Sequence, residues 1–287
     1  MLDSILKYTF LQHAIIGAIL ASIICGIIGT IIVEKKLVMM SGGIAHTAFG
    51  GVGMGYFLKI EPIIGALIFA IISSFGIVGI KRKSRVNTDT IIGMFWSLGM
   101  ALGIIFISLT PGYPPDISSY LFGDILTVSK MDLCIMAILD FVVIFIIIAF
   151  YNNLKAYLFD EEFSMVIGIN AKLMEYIVFL LIAFSVVVLI RVVGIILVIA
   201  LLTVPPAISK IFTFNLRKIM ELSILFGVVF SLLGLFISYK LHIASGASII
   251  IVAVGTYITF IIITKLIKRT GIHHDIGMNN KKTLNGV

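Results

Sequence analysis

Between its charged positions the chain carries long apolar stretches: 8–33, 37–58, 62–80 and 90–115 contain no Asp, Glu, Lys or Arg, and further apolar runs follow to 264. About 18 such residues in a row are enough to cross a bilayer as a helix. The pattern predicts nine spans, near 12–33, 38–58, 62–80, 90–109, 131–151, 173–190, 193–208, 222–239 and 245–264, or eight if one is re-entrant. The fold class is therefore all-α, a polytopic membrane helical bundle. One stretch needs an internal turn. Between Ile177 and Lys210 the only charge is Arg191, and a straight helix of 34 residues at about 1.5 Å each overruns a hydrocarbon core of about 30 Å. Gly194 is the predicted break, and Pro205 with Pro206 are predicted to end the second limb, since neither offers a backbone N–H. Short or broken helices line the paths of transport proteins.

Composition narrows the class further. The 287 residues are 60% apolar and only 12% charged, with a mean hydropathy of +1.21, whereas soluble domains are about 25% charged. The net charge of +7 does not signal a nucleic-acid binder, because the basic residues sit between spans rather than on a soluble face. They do set orientation. Lys81, Arg82, Lys83 and Arg85 fix one loop as cytoplasmic, and counting from it puts about sixteen Lys and Arg inside against four outside, with the amino terminus out and the carboxyl terminus in. Residues 1–270 read as a single transmembrane domain and 271–287 as a flexible cytoplasmic tail, where His273, His274 and Asp275 read as incidental rather than as a metal site. The first apolar segment is too long for a cleaved signal peptide. Cys25 and Cys134 both fall in predicted spans and read as packing residues.

Polar groups inside spans are costly, so the few present are informative. His46 falls near the middle of the second predicted span and Asp140 near the middle of the fifth. An imidazole suits zinc, manganese or iron and a carboxylate suits hard cations, so the two suit a divalent metal in transit; the plainer alternative is that each bonds a neighbouring helix. Around His46 lie Gly42, Gly43, Gly51 and Gly55, small residues that let backbones approach, with a GxxxG spacing at Gly51 and Gly55. A second segment is amphipathic but too short to span: Asp160 can cap a helix, Glu161 and Glu162 suit its first turn, Phe163, Val166 and Ile167 share a face, and Gly168 suits its end. That face needs a cover, either lipid and the protein's own core or a cytoplasmic partner. The sequence has no GxxxxGK[ST] phosphate loop, HExxH or GxSxG, so the chain is read as a non-enzyme without its own ATPase.

Four segments taken in order resemble the permease subunits of ABC importers for zinc, manganese and iron, over roughly residues 10–265. They are Lys35 and Lys36 followed by Ser41 to His46; Ser119 to Leu126, similar to that family's YLFGxIL; Phe159 to Phe163 with Gly168, similar to its coupling helix; and Val193 to Ile195 through Pro205, followed by Ser245 and Gly246. The resemblance implies a fold similar to the cobalamin-type (type II) importer permeases. It also implies a homodimer in the cell membrane, a cytoplasmic ABC ATPase under each copy and an external metal-binding protein. No cofactor is then held permanently: the metal is cargo, and ATP acts on the partner subunit. His46, Asp140 and Asp124 are the candidate metal-path residues, and Asp160 to Phe163, Val166, Ile167 and Gly168 the candidate coupling residues. Members of that family usually carry an aspartate one turn before the histidine, where this chain has Gly42. The competing expectation is a secondary carrier for a small cation, which would need several intramembrane acids, against the one clear candidate, Asp140.

Overall fold

The computed structural model describes residues 8–112, 123 and 125–284, with side chains as far as 266. Every element among the described residues is helical: α1 (Thr9–Glu34), α2 (Val38–Leu58), α3 (Pro62–Lys83), α4 (Thr88–Leu109), a 3-10 turn (Ile125–Thr127), α5 (Lys130–Ala149), α6 (Tyr151–Phe159), α7 (Glu161–Val166), α8 (Ala171–Val193), α9 (Ile195–Phe212), α10 (Leu216–Leu241) and α11 (Ser245–Leu284). Nine are of spanning length, and eight of those are also apolar enough to cross a membrane. The exception is α2. Its glycines and His46 lower its hydropathy, and it tolerates this because it is walled by protein, packed between α3 and α4 with α8 and α9 behind. The centre of the bundle is formed by α1 and α8, while α4, α5 and α11 lie outermost, with large apolar side chains such as Phe141, Phe145 and Ile148 turned outward. Among the described residues, α11 has a candidate span at Ser245–Leu266, and the helix continues to Leu284.

Helix starts follow local chemistry. Pro62 opens α3; Asn87, Asn170 and Asn215 accept backbone N–H groups at the starts of α4, α8 and α10; Ser129 and Asp132 form a capping box on α5.

The break expected after Arg191 is present. Gly194 has φ +79° and separates α8 from α9 by a single residue. Gly123, φ +58°, lies directly on that break, and a Cβ there would overlap the Gly194 nitrogen and the Val193 carbonyl carbon. Two segments 71 positions apart thus meet backbone to backbone, a contact open only to glycine. The expectation for Pro205 and Pro206 does not hold. Both lie inside α9, which runs on to Phe212. The missing N–H groups free the carbonyls of Leu201 and Leu202, and tertiary packing absorbs the loss. The Leu202 oxygen rests on the bare Cα of Gly29 in α1, both prolines are buried, and α1, α10 and α11 pack against α9 on several sides.

Candidate functional site

Two regions hold the residues singled out by sequence. The first is the face of α2 that meets α4. His46 is half-buried there, its ring parallel to Trp96 with centroids 4.2 Å apart, and its Nδ1 is buried without a hydrogen-bond partner. The surrounding glycines act as expected. Ile92 fills the space over Gly43, Gly51 lies against the backbone of Gly65, and Gly55 against Pro62. Gly42 differs, because a Cβ there would make only ordinary contacts, 3.6 Å from Trp96 and 3.8 Å from Ile199.

Asp140 is not part of this face. It is 5% exposed on α5, which packs on α1 and α8, and both its carboxylate oxygens are unpartnered. His46 and Asp140 lie on helices with different principal neighbours, α2 against α3 and α4, and α5 against α1 and α8, and no cluster of three or more His, Cys, Asp or Glu occurs among the described residues. Asp124 lies outside the described residues. A cavity of about 230 Å³ between α2, α3 and α8 is lined by Ala45, Ala48, Tyr56, Glu61 and Arg191 among others, and His46 is not in its wall. At its polar end Arg191 bonds Glu61 at 3.0 Å and Asp132 at 2.7 Å, tying the ends of α8, α3 and α5 together.

The second region is α7. Asp160 caps it by accepting the Phe163 N–H at 2.9 Å, and Ser164 is buried with its hydroxyl on the Glu161 carbonyl. The Ile169 N–H returns to the Ser164 carbonyl at 2.9 Å, and Gly168, φ +84°, makes the turn that ends the element. Phe163, Met165, Val166 and Ile167 are all exposed, Val166 to 84%, so the apolar face has no cover among the described residues. Glu162 is also exposed.

What fixes α7 to the bundle is an ion network that sequence reasoning missed. Glu175 on α8, 1% exposed, is held by both Lys81 and Arg82 at the end of α3. Arg82 also reaches Glu161 at 3.4 Å, and Lys35 at the end of α1 lies 3.9 Å from Glu161. The Lys35 ammonium sits 3.9 Å above the Tyr157 ring. Burial pulls Lys35 below its usual range, against the raising field of Glu161, and burial with the carboxylates of Glu175 and Glu161 pushes the Tyr157 phenol up. The available signal was charge balance: Glu175 is the one acid in a largely apolar helix, and the basic stretch at 81–85 needs a counter-charge.

Three comparisons agree with this geometry. The manganese transport system membrane protein MntC of Listeria monocytogenes is 35% identical over 260 residues, covering 91% of this chain and 92% of that protein. An uncharacterized membrane protein of Synechocystis sp. is 39% identical over 253 residues, 88% of this chain and 90% of that one. The solved structure of PsaBC from Streptococcus pneumoniae in complex with Fab superposes with a TM-score of 0.81 at 32% identity, covering 90% of this chain and 93% of that chain. The architecture is of the type II importer-permease kind, a multi-pass membrane bundle without strands among the described residues. With these full-length similarities, and a match to the family pattern over residues 7–264, the chain belongs to the ABC 3 transport family.

Proposed function

We propose that the chain is the permease subunit of an ABC importer that passes a divalent transition metal, zinc, manganese or iron, through the cell membrane. The observation that carries this reading is α7: a capped two-turn helix whose apolar face is uncovered among the described residues, braced through Glu161 to Lys35 of α1 and Arg82 of α3, and through Arg82 to Glu175 of α8. A separate cytoplasmic ATPase would take Phe163, Val166 and Ile167 into a groove, and closure of an ATPase pair would drive the two α7 helices of a homodimer together. The ion network would pass that displacement to the ends of α1, α3 and α8, so that the path opens on one side and then on the other. The end bearing Lys35, Lys81 and Arg82 faces the cytoplasm in this reading, with the amino terminus outside.

His46 is the ion-path residue. It is half-exposed, and no third ligand of His, Cys, Asp or Glu type gathers near it among the described residues, so an ion would draw its remaining ligands from water or from a second copy. The manganese-transport name of a relative 35% identical supports metal as cargo. An external metal-binding protein would deliver it. The test is Phe163→Asp in cells expressing the whole transporter: uptake of manganese and zinc should fall to background while the permease stays in the membrane at its usual level. Uptake that persists in this variant, and in cells whose ATPase is inactivated, would mean a carrier that works alone.

A further inference from the structure

The imidazole of His46 does not stand free in its helix. The indole of Trp96, the chain's single tryptophan, lies 8° from parallel to it at 4.2 Å, and three contacts hold the stack in place. Thr47 Oγ1, which donates to the Gly43 carbonyl in its own helix at 2.7 Å, also lies 3.1 Å from the Phe95 carbonyl across the α2–α4 boundary, a shared bond. The Ile92 side chain seats over Gly43, and the backbone of Gly99 rests on Thr47, where a Cβ would approach the Thr47 Cα to 2.5 Å. On the remaining side, the space that a residue at position 42 would fill is bounded by the six-membered ring of Trp96. These contacts fix α4 against α2 and so set where the indole lies over the imidazole.

From this geometry we infer that Trp96 is a positioning and specificity residue of the ion path, a reading that rests on the assignment of His46 above. The indole fixes the plane of the imidazole and covers one of its faces. Nδ1 is buried, so a cation is confined to the ring edge that carries Nε2. An indole stacked on the imidazole can add attraction for a cation without adding a fixed negative charge. A site made of imidazole nitrogen and indole, with no carboxylate one turn away at Gly42, selects ions that accept nitrogen ligands over hard ions such as magnesium and calcium.

The test is uptake of radioactive manganese and zinc by cells expressing the complete transporter, with variants matched for abundance in the membrane. Trp96→Phe keeps a ring and should keep a near-normal KM. Trp96→Ala frees the imidazole and should raise KM about 2- to 10-fold, the value of an aromatic stack, with less effect on the maximal rate and with new inhibition by magnesium. His46→Ala should abolish uptake. If His46→Ala is silent, the assignment of the path itself fails; if it abolishes uptake while Trp96→Ala keeps the normal KM and metal preference, only the role of Trp96 is overturned. Should Trp96→Ala fail to reach the membrane, the purified wild-type chain decides. With one tryptophan its emission reports this site alone, so manganese should quench it in the wild type and not in His46→Ala, and absence of quenching overturns the inference.

Discussion

The contact between α2 and α3 makes one substitution change sign along a single helix. In Gly51→Ala the new methyl would overlap the Gly65 carbonyl oxygen and lie 2.7 Å from the Ala66 nitrogen. Both obstacles are backbone, so no side chain can rotate aside and the helices must part by about 1.5 Å to restore a normal contact of about 3.5 Å. Overpacking of this kind costs about 1–3 kcal/mol, and a rigid obstacle puts it in the upper part of that range. Alanine returns up to about 1 kcal/mol through its higher helix propensity, leaving a net loss of about 1–2 kcal/mol. In Gly42→Ala the methyl meets Trp96 at 3.6 Å and Ile199 at 3.8 Å, so only the propensity gain remains, about 0.5–1 kcal/mol in the stabilising direction. Thermal unfolding of the purified protein in one detergent should therefore rank Gly42→Ala above wild type and wild type above Gly51→Ala. Equal midpoints for the two variants, or the reverse order, would refute the reasoning that backbone contact rather than helix propensity controls these positions.

Other outcomes follow from the buried charges. Changing Lys81 and Arg82 together to Met leaves Glu175, 1% exposed, without either cation and should destabilise by about 3–5 kcal/mol. Glu175→Gln strands only cations that are themselves about one-third exposed and can rehydrate, so its loss should be clearly smaller; equal losses on thermal unfolding would contradict this asymmetry. Asp140→Leu removes two unpartnered buried oxygens and should raise stability by about 1–3 kcal/mol while metal uptake continues, whereas loss of uptake would return Asp140 to the path.

The chain's class, its span count and the outline of α7 could be read from one dimension, because each depends on local quantities. Runs without charge are long enough for the bilayer, Asp160 caps the residues that follow it, and Gly168 supplies the left-handed turn that ends the element. Gly194 was legible for the same reason: a chain that must turn within a long apolar run turns where no side chain objects. What sequence could not decide is which polar groups meet. His46 and Asp140 share a predicted depth and chemical suitability, yet one faces α4 while the other is buried on α5, which packs on α1 and α8, and Trp96 and Glu175 acquire their roles only when α4 and α3 are brought alongside. The prolines of α9 make the same point from the other side. Local rules end a helix there, but a carbonyl freed at Leu202 and received by the bare Cα of Gly29 lets it continue, since packing from several neighbours outweighs a missing N–H.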